Sequence, residues 1–175
     1  MSAFHPGQPQ TGEFADYHGK YISKAGQFVY PVERLASQLK DFTTFFGDID
    51  PAKRLYRYAE DKWSIQEMLQ HITDTERIFS YRALRIARGD QTSLPGFEQD
   101  PFVIASEADA ANWNELVSEF SAVRESTLAL FRLFPQAAWT RVGTASNNPI
   151  SVRALSWIMV GHVEHHLGVL RERYL

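Results

Sequence analysis

Three of the six histidines in this 175-residue chain lie close together near its C-terminus. Residues 161–166 read Gly-His-Val-Glu-His-His, within a mainly apolar stretch. At roughly 100° per residue, a helix would place His162 and His166 on the apolar face, one turn apart. His165 would be rotated away from that face, and Glu164 would point to the far side. Two imidazoles at i and i+4 can direct their ring nitrogens at one metal ion.

A third ligand has to come from another part of the chain. His71 is the only other histidine in a strongly periodic segment, where it lies at the rim of an apolar stripe. His5 and His18 belong to an N-terminal stretch that glycine and proline interrupt. A single histidine on an apolar face is usually a hydrogen-bonded core residue. A pair plus one more on a second helix keeps both a metal site and a purely structural role open.

Composition narrows the classes of protein. A length of 175 residues and a hydrophobic content of 44% predict one domain with a sizeable core. The net charge of -3 gives no basic surface for nucleic acid or an anionic membrane. The chain has no cysteine, which leaves histidine and carboxylate as metal ligands. It shows neither a bilayer-spanning apolar stretch nor the pattern of a signal peptide, so a cytoplasmic location is expected.

Hydrophobic periodicity predicts an all-α four-helix bundle. Residues 1–27 are expected to form a partly irregular N-terminal arm with a short helix near residues 17–24, and residues 28–175 a single bundle domain. The predicted helices cover about residues 31–46, 65–87, from the cap at 106–109 to 134, and 152–173. Loops are predicted at 91–105 and 136–149, and no segment alternates convincingly as a strand.

Several helix ends carry clear signals. Pro31 suits the first turn of the first long helix. Ser64 and Glu67 form a capping-box pattern at the start of the second. Residues 106–109 are predicted to cap the third helix, and Ser151 to cap the fourth.

These motifs resemble those of the DinB/YfiT-like superfamily. The resemblance rests on residues 62–71 (Lys-Trp-Ser-Ile-x-Glu-x-Leu-x-His), on the Asp74-x-Glu76 that follows, on residues 81–87 and on the histidines of 161–166, and extends from about residue 15 to the end. It implies a four-helix bundle in which His71, His162 and His166 bind a divalent metal, zinc or nickel. It also implies a homodimer and a fold shared with bacterial thiol-dependent transferases and maleylpyruvate isomerase.

Three ligands leave at least one coordination position for water or a substrate. A bound water would support hydrolysis of a small molecule, as the usual family label of metal-dependent hydrolase implies. A bound low-molecular-weight thiol would instead become a thiolate for transfer. The helix faces show no clear general base, which favours thiol transfer slightly. A metal-binding stress-response protein without turnover is the alternative.

Other charged residues are candidates for supporting roles. Asp74 and Glu76 could act as a catalytic base, although Asp74 is equally well explained as a solvated helix carboxylate. Arg124 lies in the middle of an apolar face, where a structural ion pair with Glu76 is favoured over binding of a substrate anion. Arg82 continues the helical column of His71 and is a further candidate for substrate binding.

The predicted homodimer needs an exposed surface, and the C-terminal helix offers candidates for it. Glu164 and His165 point away from the predicted core face and are expected to face solvent or a partner subunit.

Overall fold

The computed structural model describes residues 5–26, 28 and 30–175. Within these residues, four long helices and four shorter elements form the fold: α1 (Gly19–Ala25), α2 (Pro31–Gly47), α3 (Ile65–Ala87), α4 (Gln99–Ser106), α5 (Trp113–Arg132), β1 (Val142–Ala145), β2 (Asn148–Ser151) and α6 (Val152–Arg173). The predicted four-helix bundle is confirmed, with α2, α3, α5 and α6 as its helices.

The order of the helices around the bundle differs from their order in the chain. Helices α2 and α3 each pack against both α5 and α6, so α2 and α3 occupy opposite corners. Helix α1 packs along α6. The neighbouring positions of α3 and α6 bring the histidine of one helix opposite the two histidines of the other.

The predicted caps of two bundle helices are confirmed. The Ser64 hydroxyl accepts a hydrogen bond from the Glu67 amide at 3.0 Å, and the Glu67 carboxylate accepts one from the Ser64 amide at 2.8 Å. Ser151 caps α6 by accepting from the Ala154 amide at 3.0 Å. These bonds satisfy amides that a helix leaves without a partner at its start.

Three details of the prediction were wrong. Residues 99–106 form α4, which lies almost entirely inside the predicted loop 91–105. Pro101 does not prevent this helix, since proline is tolerated in a first helical turn. Helix α5 is capped by Asn112 rather than by residues 106–109. The predicted loop 136–149 contains most of a β-hairpin, in which β1 pairs antiparallel with β2. Its turn residues Ser146 and Asn147 both have positive φ, as a two-residue type I′ turn requires.

The segment before α2 lies against α6. The Glu13 carboxylate accepts hydrogen bonds from the Arg153 guanidinium and, at 2.8 Å, from the Ser151 hydroxyl. The Trp157 indole donates to the Gly7 carbonyl at 3.0 Å. These contacts hold the N-terminal segment against the start of α6, and α1 continues along α6 as far as His162, whose ring Tyr21 contacts.

Two groups of buried apolar side chains fill the bundle. One surrounds Trp157 and the other surrounds Phe42 and Phe46, whose rings belong to an aromatic cluster with Phe120. No helix in the described part of the chain has the length and hydrophobicity to cross a membrane.

Candidate metal centre

Three buried histidines bring their Nε2 atoms together between α3 and α6. The Nε2 of His162 lies 3.1 Å from that of His71 and 3.1 Å from that of His166. The three side chains are 3–8% exposed. They form one group whose candidate ligand atoms all lie within 4.8 Å of one another. The i, i+4 spacing on α6 supplies two of them, and the packing of α3 against α6 supplies the third.

All three imidazoles are neutral at pH 7. Burial lowers the pKa of His71 to about 4. Burial and, after it, the neighbouring imidazoles lower the pKa of His162 and His166 well below the ordinary value of histidine. A neutral imidazole has one ring proton and one lone pair, which is the form that binds a metal.

The donor atoms fit a divalent cation. A single proton on the His162 Nε2 can bridge to only one of its two neighbours, whereas one cation can accept all three lone pairs. Two nitrogens on a tetrahedral zinc ion, each at about 2.0–2.1 Å, lie roughly 3.3–3.4 Å apart, close to the observed spacing. Neutral imidazoles suit both zinc and nickel.

His165 is not part of this cluster. Its side chain is half-buried, and its ring packs edge-on against Tyr21 at 5.6 Å and against His166 at 5.1 Å. The ring centroid of Tyr21 also lies 5.3 Å from that of His162, and the ring centroid of Trp63 lies 4.6 Å from that of His71. Aromatic rings therefore hold the cluster in place from two sides.

A cavity of about 190 Å³ opens at His162 and is called here the His162 cavity. Its wall on the N-terminal side includes Tyr17, His18, Lys20 and Tyr21; α3 contributes Thr75, Phe79 and Arg82; Phe97, Gln99 and Ser146 complete it. It contains three basic side chains besides His162 and no carboxylate. A small molecule in this cavity would contact His162 directly.

His18 was not recognised as a site residue from the sequence. It is only 6% exposed, and no described residue forms a hydrogen bond with either of its ring nitrogens. Burial and, after it, the charges of Arg82 and Lys20 lower its pKa to about 4, so it is a neutral base at pH 7. One signal was available in the sequence, because Ala15, His18 and Ala25 recur at helical spacing. The structure buries all three.

A second opening lies on the other side of the cluster, at His166. This cleft, called here the His166 cleft, has a volume of about 400 Å³ and is lined by Trp63, His165 and Tyr174, among others. Asp61, Lys62 and Asp100 also line it, so its walls carry both signs of charge. The histidine cluster is therefore reached from two sides.

The two predicted carboxylate candidates have other partners. Asp74 accepts a hydrogen bond from Gln70 at 2.9 Å and lies, half-buried, in a groove beside Glu119. Burial raises its pKa despite that hydrogen bond. Glu76 is 3% exposed and forms two hydrogen bonds with Arg124, at 2.7 and 2.6 Å.

The two predicted substrate-binding arginines differ. Arg124 is fully buried and also donates to the Leu35 carbonyl at 2.9 Å and to Gln38 at 3.2 Å, so its geometry is that of the structural ion pair. Arg82 lines the His162 cavity and remains a candidate for substrate binding.

The prediction that Glu164 faces solvent or a partner subunit is wrong. Its carboxylate accepts hydrogen bonds from Arg34 at 2.5 Å and from Gln38 at 2.8 Å, both on α2. The reason is the packing of α2 against the flank of α6, which covers a position that the helical wheel places outside the core. Gln38 donates to Glu164 and also accepts a hydrogen bond from Arg124. Glu164 and the Glu76–Arg124 pair therefore belong to one polar network that links all four long helices.

Comparisons with known proteins agree with this description. The family model described as the DinB superfamily matches residues 34–170. A protein of Oceanobacillus iheyensis named "Putative metal-dependent hydrolase OB0413" is 22% identical over 152 residues, which cover 86% of this chain and 85% of the relative.

A solved structure shows a similar fold. YfiT from Bacillus subtilis, described as a probable metal-dependent hydrolase with an unusual four-helix bundle topology, superimposes with a TM-score of 0.67 at 14% sequence identity. The match covers 94% of this chain and 89% of that one.

Proposed function

The chain belongs to the DinB superfamily, and on that premise we propose that it is a metal-dependent enzyme that hydrolyses a small molecule in the His162 cavity. The observation that carries this proposal is the convergence of three buried Nε2 atoms, together with the position of one of the three residues, His162, in the cavity wall. The names of the two similar proteins also point to metal-dependent hydrolysis.

The proposed metal ligands are His71, His162 and His166. A divalent ion held by them would act as a Lewis acid that polarises a carbonyl and acidifies a bound water or thiol. Neutral imidazoles at this depth are ready to bind without first losing a proton. The rings of Trp63 and Tyr21 limit the reorientation of the ligands.

His18 is proposed as the proton acceptor. It is neutral at pH 7, it has no hydrogen-bond partner among the described residues, and it lines the same cavity as His162. Such a base takes the proton of the attacking nucleophile and passes it to the leaving group. The sequence favoured thiol transfer only because no base was evident, and His18 removes that reason.

The test is an assay of zinc-loaded and nickel-loaded protein on small esters and amides without thiol. We expect cleavage that is lost in His71→Ala. His18→Gln should keep its metal and lower kcat by roughly 10²–10⁴-fold, the usual range for loss of a general base. His5→Gln, which removes a histidine outside the cavity, is the matched control and should leave the rate unchanged. Full activity in His18→Gln would refute its role as the base.

Thiol transfer is the second candidate, and the His166 cleft favours it. A two-substrate reaction needs room for a thiol and an electrophile, and the cluster is open on two sides. The corresponding assay adds a low-molecular-weight thiol and an electrophilic acceptor. Conjugation that requires both thiol and metal, without cleavage in the absence of thiol, would select this candidate. If neither reaction occurs with either metal, the alternative of a metal-binding protein without turnover replaces both.

A further inference from the structure

Arg82 is buried and has no acidic partner in the part of the chain that the structure describes. Among the residues that the structure describes, two arginines are buried, Arg82 with 4% exposure and Arg124 with none. Arg124 is neutralised by Glu76. No described carboxylate lies within ion-pair distance of Arg82. Buried charges in proteins are normally paired, because removing an ion from water is costly.

The hydrogen bonds of Arg82 fix its position and use only part of its guanidinium. Its Nη2 donates to the Pro95 carbonyl at 2.7 Å and to the Ser146 hydroxyl at 3.1 Å. Its Nε and Nη1 donate to no described residue. A planar guanidinium held in this way is preorganised to donate to the oxygens of a carboxylate or phosphate.

The surroundings of Arg82 are also electropositive. Lys20 is an exposed residue of the cavity wall, and no aspartate or glutamate belongs to that wall. Burial lowers the pKa of Arg82, and the only opposing influence is Tyr17. The rings of Tyr21 and Phe79 give the same cavity apolar walls.

We propose that the His162 cavity contains an anion-binding subsite, in which Arg82, assisted by Lys20 of the same cavity wall, binds the carboxylate or phosphate group of a compact substrate with a flat apolar body. This proposal rests on the proposed function, since it takes the same cavity to be the substrate site. The substrate's anionic group pairs with Arg82, and its reactive group lies toward His162. Arg82 is thus assigned to substrate recognition, and Arg124 to the fold.

Calorimetric binding of two matched probe pairs tests the proposal. The pairs are benzoate with its neutral isostere benzamide, and phenyl phosphate with phenol. We expect at least one anion to bind about tenfold or more tightly than its neutral partner, as a charge-assisted hydrogen-bonded pair implies. Whichever anion shows the larger ratio identifies the chemical class. The titrations use the purified protein and are repeated after chelation, which removes direct binding of an anion to a metal.

Matched variants locate the binding. Arg82→Gln should abolish the preference for the anion, Lys20→Gln should weaken it by a smaller factor, and Arg88→Gln should leave it unchanged. Arg88 is an exposed arginine at the end of the same helix, so it controls for net charge. If Arg82→Gln loses its helical circular dichroism, the Lys20→Glu variant is titrated instead. Weaker anion binding by Lys20→Glu would support the subsite, and unchanged anion binding would overturn it.

Equal affinities of folded wild-type protein for the charged and neutral probes would also overturn the subsite. This failure is separate from that of the proposed function. Anion binding at Arg82 without any turnover would refute the enzyme and keep the subsite. Metal-dependent cleavage without a preference for anions would keep the proposed enzyme and refute the subsite.

Discussion

At the scale of single residues, His162 has the central position in the histidine cluster, because its Nε2 faces the other two. We predict about one divalent ion per chain, as a single three-ligand site implies. His162→Ala and His166→Ala should abolish metal binding, because each variant removes one of the three ligands and leaves only two. His165→Ala should retain most of the metal, since its ring lies beside the cluster. Elemental analysis of the purified variants measures this, and equal loss of metal in His165→Ala and His166→Ala would contradict the assignment.

The buried pair of Glu76 and Arg124 gives a second prediction at this scale. Glu76→Gln leaves the guanidinium of Arg124 buried without a counter-charge, which should lower the free energy of unfolding by about 3–5 kcal/mol. Glu119→Gln removes the partner of Arg77 from an exposed ion pair, whose side chains are 47% and 32% exposed. This variant should change the free energy of unfolding by no more than about 1 kcal/mol. Urea denaturation compares the two variants. Similar small losses would show that the buried network is not structurally important.

At the scale of the elements, Gly161 determines how closely α1 approaches α6. A Cβ at this position would overlap the main-chain carbonyl of Tyr21, whereas a Cβ at Gly168 would meet nothing within 4 Å. Gly161→Ala should therefore displace α1 and lower the free energy of unfolding by about 1–3 kcal/mol, as overpacking does. Gly168→Ala should raise it by up to about 1 kcal/mol through helix propensity. Thermal or urea unfolding checks both, and a stabilising Gly161→Ala would contradict the close packing.

The contact between the N-terminal segment and α6 predicts a response to acid. Burial opposes ionisation of Glu13, but hydrogen bonds from Arg153 and Ser151 outweigh it and lower the pKa of Glu13 below the ordinary value of glutamate. A lowered folded-state pKa contributes stability that is present above the unfolded-state pKa and is lost as the pH falls through the folded value.

Glu13→Gln should thus lower the free energy of unfolding at pH 7 by about 1–3 kcal/mol, the range for hydrogen bonds to charged groups. The difference from the wild type should shrink as the pH falls below the ordinary pKa of glutamate and through the lowered pKa of Glu13. Denaturation curves at several pH values measure it. Glu33→Gln, which changes an exposed glutamate on α2, controls for net charge. A difference that does not depend on pH would contradict the argument.

At the scale of the whole molecule, we predict that the core is stable without a metal. Large apolar clusters lie on both sides of the histidines, and the polar network joins the four long helices independently of them. We predict that chelation removes activity and leaves the helical circular dichroism largely intact. A metal at a hundredfold excess over its Kd adds about 2.7 kcal/mol to the free energy of unfolding. Chelation should remove no more than this contribution, and the melting temperature should fall accordingly. Loss of the helical signal on chelation would show that the metal has a structural role.

The homodimer stays a prediction, for which sedimentation at micromolar concentrations is the measurement. Glu164 is no longer a candidate for its surface, because α2 of the same chain binds it.

The sequence by itself determined the features that depend on neighbours within a helical turn. Capping at Ser64 and Ser151, and the shared face of His162 and His166, follow from local hydrogen bonding and from the 3.6-residue period. The extents of the long helices follow from the same period, except for the start of α5, which lies at Trp113 instead of after residues 106–109. The β-hairpin escaped prediction because its strands have four residues each and its turn has no glycine.

Only the tertiary structure decided which distant residues meet. The sequence nominated His71, but the placement of α3 beside α6 brings its Nε2 to 3.1 Å from His162. The sequence favoured an ion pair between Arg124 and Glu76, and the packing of α3 against α5 forms it. No local pattern shows that Arg82 has no carboxylate partner among the described residues, or that His18 reaches the His162 cavity. Such contacts depend on how whole helices pack, and packing is selected by the burial of the entire core rather than by the residues that happen to meet at the site.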